Sequence, residues 1–190
     1  MDLNVSLGHT ASYKVVFAGA FGVGKTTALA NVSEIEVANN DVGSIEVTQN
    51  EIAEGKATTT VGYDYGEIFL PDGSLVTLFG LPGQERFDEV WGMILKSYDG
   101  IVLWLYGDKD DSLAECENWL ANLKRYDATD NICVVVTRVP IPTDDAVLDP
   151  FRALVAKYNP YAPVMSGDPR NPKHVMSAIL MTVATPGRGQ

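Results

Sequence analysis

The most specific chemistry in the chain lies in one run near its start, Gly19-Ala20-Phe21-Gly22-Val23-Gly24-Lys25-Thr26. It matches the pattern G-x-x-x-x-G-K-[ST] at every position. Each part of the run has a use. Gly19, Gly22 and Gly24 let the backbone curl, so that successive N–H groups, those of Ala20, Phe21 and Val23 among them, face inward around phosphate oxygens. The start of a helix at Lys25, Thr26 and Thr27 adds the positive end of its dipole. The Lys25 ammonium reaches the outer phosphates as a point charge. The Thr26 hydroxyl is a hard oxygen suited to Mg²⁺. The run therefore predicts a bound nucleoside triphosphate with Mg²⁺. It does not by itself choose between a kinase, an ATPase and a GTPase.

The elements around the run are those it needs. Tyr13-Lys14-Val15-Val16-Phe17-Ala18 reads as a buried strand entering the loop, and Thr26 to about Val32 continues as a helix. Ser33 to Lys56 has weak periodicity and reads as a long loop, with a short strand entertained at Ile45–Thr48. Tyr63–Leu70 and Leu75–Phe79 are strands joined by the turn Pro71-Asp72-Gly73-Ser74, which makes an antiparallel hairpin. Ile101–Tyr106 and Ile132–Thr137 are continuous apolar runs, as expected of central strands. Ser112 with Glu115 reads as a capping box before a helix with Leu113, Cys116, Leu120 and Leu123 on one face. Asp149-Pro150 and Asn171-Pro172 read as cap-plus-proline helix starts. Ala162–Met165 is a last short strand. The expected architecture is α/β: a mostly parallel six-stranded sheet with one antiparallel edge strand and helices on both faces. Residues 1–12 and 186–190 read as flexible tails around a single domain at 13–185.

Composition narrows the function classes. The chain has 190 residues and a formal net charge of −11. Phosphate backbones select basic surfaces, so the acidity argues against a nucleic-acid partner. No apolar run approaches the roughly 18 residues that span a membrane. The N-terminus has no signal-peptide pattern, and neither end carries a lipidation motif. A cytoplasmic protein without a direct membrane anchor is the expectation. Cys116 and Cys133 fall at core positions and read as buried free thiols. His9 and His174 are isolated from any metal-ligand spacing. Trp91, Trp104 and Trp119 read as core or helix-face residues, and of the three Trp91 is the best candidate for an exposed partner contact, because interface hot spots favour Trp.

Two further segments resemble the Ras-like small GTPases. Thr59-Thr60-Val61-Gly62-Tyr63-Asp64-Tyr65-Gly66-Glu67-Ile68 is similar to their first switch and second strand. Leu78-Phe79-Gly80-Leu81-Pro82-Gly83-Gln84-Glu85-Arg86-Phe87 is similar to their third strand and second switch. Together with the phosphate loop, the resemblance orders the chain from about Lys14 to Val183 as a Ras-like G domain. Pro82-Gly83-Gln84 resembles the bacterial, unlipidated members associated with motility and polarity. The resemblance implies that Thr60 ligates Mg²⁺ and senses the γ-phosphate, and that the Gly83 N–H bonds that phosphate. It implies that Gln84 orients the attacking water, with Lys25 and Thr60 completing the catalytic set. GTP or GDP is then the ligand. A protein activator or effector at the switches, such as a Roadblock-type dimer, is the partner. Arg86 is a candidate for an arginine finger in cis.

The chain departs from the family in three places. Gly80 stands where the second switch carries an Asp that supports Mg²⁺, and Asp64 on the neighbouring strand could substitute for it or be an ordinary surface charge. Thr137-Arg138-Val139-Pro140 stands where the family reads the base with Asn-Lys-x-Asp. The resemblance leaves Arg138 to cover the base, Thr137 to bond it or the loop, and Asp168 in the last loop to contribute. The interval from Thr26 to Thr60 is 34 positions, which the resemblance marks as an insertion before the first switch. The competing expectation is a pseudo-GTPase serving as a scaffold or assembly module, supported by Gly80 and the altered base motif.

Overall fold

The computed structural model of the protein describes residues 11–42, 61–82 and 88–183. The sheet grows outward from β1 (Ser12–Gly19), which pairs in parallel with β4 (Leu75–Gly80) on one side and β5 (Gly100–Tyr106) on the other. Beyond β5 lie β6 (Ile132–Thr137) and β7 (Val164–Ser166), both parallel. Beyond β4 lies the antiparallel strand β3 (Val61–Phe69), and outside it β2 (Ala38–Val42). The order is β2-β3-β4-β1-β5-β6-β7.

The expected class holds: a mostly parallel sheet with one antiparallel strand and helices on both faces. Two details differ. The described sheet has seven strands, because Ala38–Val42 adds to the free side of β3. The antiparallel strand is therefore not the edge. Ala38-Asn39-Asn40-Asp41-Val42 has little intrinsic strand preference, and cross-strand pairing supplies what propensity does not. The strand entertained at Ile45–Thr48 and the tails at 1–10 and 186–190 lie outside the described residues.

Alternation along the strands builds two cores. Val16, Ala18, Ile101, Leu103, Leu105, Val134 and Val136 face α2 (Asp88–Ile94), α3 (Ser112–Arg125) and α4 (Asp145–Val155). Val15, Phe17, Val102, Trp104, Cys133 and Val135 face α1 (Lys25–Val32) and α5 (Pro172–Val183). Every residue of β5 and β6 is buried, as expected for strands covered on both faces. Cys116 and Cys133 are free thiols in opposite cores, and burial pushes both up to about 12.

Helix boundaries follow capping more than proline. The Asn171 side chain accepts from the Lys173 N–H at 3.0 Å, so α5 starts as expected. Helix α4 starts earlier than the Asp149-Pro150 signal, because Asp144 accepts from the Ala146 N–H at 2.9 Å and caps it there. Pro150 then lies inside the helix, and Asp149 holds Arg152 instead. The capping box at Ser112 does not form. Asp111 is the N-cap, and Ser112 turns its hydroxyl to the Lys109 carbonyl. Leu113 is exposed, while Cys116, Trp119, Leu120 and Leu123 are buried. Trp91 is also buried at 1% exposure, stacked on Trp119 at 4.8 Å with its Nε1 donating to the Pro82 carbonyl. An exposed partner contact at Trp91 is thereby excluded.

Candidate nucleotide-binding site

Strand direction gathers the site. β1, β4, β5, β6 and β7 run parallel, so Gly19, Gly80, Arg138 and Asp168 emerge at or near the same sheet edge. β3 runs the other way, which brings its start, and Asp64, to that edge. After β1 the chain turns toward the β4 side, and β5 begins the other side. The loop after β1 thus lies at the switch point where open α/β sheets bind ligands.

Residues Ala20–Gly24 form a tight loop between β1 and α1. Gly19, Gly22 and Gly24 have φ of 130°, 76° and 112°. A Cβ on Gly19 would lie 2.1 Å from the Trp104 carbonyl oxygen, so no other residue fits that crossing. Val23 is buried and anchors the loop to the α1-side core. The Tyr106 hydroxyl donates to the Phe21 carbonyl at 3.0 Å and holds the loop from β5. The helix begins with no side-chain cap at Gly24, which leaves its first N–H groups directed at the loop.

Lys25 points back into this loop. Its Nζ donates to the carbonyls of Gly19 at 2.6 Å and Ala20 at 2.8 Å. Burial lowers its ammonium to about 8, against the opposing pull of Asp64 and Glu115. Thr26 is exposed, and its hydroxyl donates to Asp64 Oδ2 at 2.5 Å. Thr26 and Asp64 form a pair of hard oxygen donors beside the loop, a set that fits Mg²⁺. Among the described residues no cluster of three or more His, Cys, Asp or Glu side chains could hold a metal.

A groove of about 410 Å³ runs from the loop toward β6 and β7, lined by Gly22, Gly24, Thr27, Thr137, Arg138, Ile141, Asp168 and Arg170 among others. The three sequence-predicted base contacts therefore meet on one wall. They are not equally available. Thr137 is buried, and its hydroxyl donates to the Leu105 carbonyl at 3.0 Å, so it serves the strand framework. Arg138 has a φ of 59°, lies 4.5 Å from the Tyr106 ring centroid and pairs with Asp108 at 3.9 Å. That leaves its planar group at the groove rim. Asp168 is clamped by Arg170 through both carboxylate oxygens, with Nη2–Oδ2 at 2.8 Å. The clamp holds the Asp168 carboxyl well down, to about 2. His174 Nδ1 accepts from the Asp168 N–H and fixes the turn.

Tyr106, Pro169 and Arg170 belong to the site without having been singled out in the sequence. The spacing Asp168-Pro169-Arg170 was the available signal, since a turn brings the first and third side chains together. Glu115, read as half of a capping box, instead lines a second groove of about 270 Å³ with Ala20, Trp91 and Trp119. Its Oε2 has no hydrogen-bond partner, and burial raises its carboxyl. Thr60, Gly83, Gln84 and Arg86 lie outside the described residues.

Two solved structures share this fold. Over 92% of this chain, a bacterial selenocysteine-specific elongation factor, EF-Sec, superposes with a TM-score of 0.62 at 14% identity. The G domain of the T. maritima FeoB iron transporter superposes over 91% of this chain with a TM-score of 0.60 at 17% identity. The chain has the G-domain fold. It spans 29% of the EF-Sec chain and 98% of the FeoB G-domain chain. No family model matches the sequence, and none of the curated proteins matches it. The segments that resemble the two switches, 59–68 and 78–87, lie only partly within the described residues. Residues 19–27 of the loop and helix start, and the residues lining the groove, lie within the described residues.

Proposed function

We propose that this protein is a small GTP-binding switch with slow, partner-stimulated GTP hydrolysis. The observation that carries the reading is the phosphate loop on a G-domain fold. Left-handed glycines curl the backbone around Lys25, and the loop opens directly into the groove of Arg138 and Asp168. In this reading the loop N–H groups and Lys25 hold the β- and γ-phosphates, and Thr26 and Asp64 face the cation. Mg²⁺, when bound, neutralises charge on the β- and γ-phosphate oxygens. Arg138 covers the base at the groove rim, and Asp168 lies where a base edge would reach. Gln84 orients the attacking water, and Thr60 and Gly83 respond to the γ-phosphate. Turnover is slow because this chemistry is positioning and electrostatics, and the groove's two arginines, Arg138 and Arg170, are already paired with Asp108 and Asp168. A Roadblock-type dimer at the switches is the proposed class of activator, in a cytoplasmic signalling or polarity role.

A scaffold without hydrolysis is the second reading. It is favoured by one observation: residues 137–140 offer no carboxylate to the guanine edge, and Asp168, which lines the groove, is already clamped by Arg170.

Calorimetric titration with GTP, GDP, ATP and ADP, with and without Mg²⁺, separates them. Guanine nucleotides should bind with micromolar or tighter affinity and adenine nucleotides at least tenfold more weakly. Lys25→Ala should abolish binding, and Gln84→Leu should spare binding while removing turnover. Equal or absent binding of all four nucleotides would establish the scaffold.

A further inference from the structure

We propose that the carboxylate of the divalent-cation site in this protein is supplied by Asp64 from β3, in the space that Gly80 on β4 leaves open. The inference deepens the nucleotide-binding reading and rests on it. Proteins with this loop hold Mg²⁺ through the loop Ser or Thr and one acidic residue. Here the Thr26 hydroxyl and Asp64 Oδ2 are 2.5 Å apart. Two neighbouring ligands of an octahedral Mg²⁺ are about 2.9 Å apart, given metal–oxygen distances of 2.0–2.1 Å. A shift of a few tenths of an ångström therefore turns this hydrogen-bonded pair into two adjacent ligands.

The register explains why the carboxylate comes from this strand. Asp64 pairs directly with Gly80. A Cβ on Gly80 would lie 3.0 Å from both Cβ and Oδ2 of Asp64. The Asp64 side chain thus lies across the face of residue 80, where any side chain would crowd it in the position from which it meets Thr26. Asp64 also acts electrostatically on Lys25, so it belongs to the phosphate end of the site. A surface charge without a role would require neither the cleared space at Gly80 nor the aim at Thr26.

The test compares wild type, Asp64→Asn and the exchange Asp64→Gly with Gly80→Asp. A fluorescent GDP analogue reports affinity in Mg²⁺ and in EDTA. Paramagnetic resonance of Mn²⁺ added to the GDP complex reports metal binding directly. Asp64→Asn should weaken Mn²⁺ binding on the order of 10- to 100-fold. Its GDP affinity should fall in Mg²⁺ and rise in EDTA, because the lost charge repels phosphate. A merely structural defect would lower both. The exchange should recover metal-dependent affinity, because removing the side chain at position 64 clears the space that a carboxylate at position 80 needs. Asp64→Asn with Mn²⁺ affinity within twofold of wild type would overturn the inference and leave the nucleotide-binding reading standing. Wild type that binds no guanine nucleotide would overturn both.

Discussion

Lys25 shows how one buried charge ties stability to ligand. Its ammonium falls from 10.5 to about 8 because burial disfavours the charged form. Between those values the unfolded chain binds more protons than the folded one, so the Lys25 contribution to stability rises with pH through that window. The change is of order 3 kcal/mol across the window, at 1.36 kcal/mol per unit. Urea denaturation of the ligand-free protein against Lys25→Met should show the difference between them moving in favour of wild type from pH 8 to 10.5, and staying flat below pH 7. Phosphate beside Lys25 reverses the effect of burial, so nucleotide binding near pH 8.5 should take up protons, read by calorimetry in buffers of different ionisation enthalpy. The loop that creates this behaviour was legible in the sequence because its eight residues are contiguous and each has a local role. Asp64 was visible only as a candidate. Whether it meets Thr26 depends on which residue of β4 it faces, and register is a property of two strands rather than one. Arg170 was missed for a related reason: its partner Asp168 was weighed as a base contact, not as half of a clamp.

At the scale of elements, α4 offers a direct comparison between two acidic residues. Asp144 satisfies an otherwise unpaired N–H at the helix start. Asp149 makes an exposed ion pair with Arg152, its side chain 64% accessible. Asp144→Ala should therefore cost about 1 kcal/mol, and Asp149→Ala less than about 0.5 kcal/mol. Thermal melts of the two variants should show a clear shift for the first and little for the second. The sequence pointed to the wrong aspartate because a proline after Asp is a strong start signal and Asp144 lacks one. Pro150 is tolerated inside the helix. β2 was missed for the opposite reason: Asn39, Asn40 and Asp41 carry no strand signal, and the five-residue match to β3 makes the strand. The core reading of Trp91 holds and the partner-contact reading does not: Trp91, Ile94 and Leu95 stand at helical spacing and all are buried. The burial of Trp91 comes from Trp119 across the gap to α3.

For the whole molecule, the two free cysteines report on the two sides of the sheet. Cys116, on α3, points into the core on the α2, α3 and α4 side, and Cys133, on β6, into the core beneath α1 and α5. Both are fully buried with thiols raised to about 12, so neither should react with a disulfide reagent in the native state. β5 lines both cores, so the two sides should open together. Labelling each thiol along a urea gradient in the single-cysteine variants Cys116→Ala and Cys133→Ala should give one transition apiece, each coincident with loss of helix signal for the same variant. An earlier opening at one thiol would show two independent layers. The pairing of Asp64 with Gly80 also constrains how such a chain could descend from one with the acid on the other strand. A Cβ at residue 80 would crowd Asp64 at 3.0 Å, so the Asp64 side chain would have to shift. A chain with both acids would crowd that spot and place two like charges together, which favours a route of exchange through an intermediate with neither. Lineages that made the trade should have passed through a period of loosened nucleotide retention, when rapid release rather than tight holding was the state available to selection.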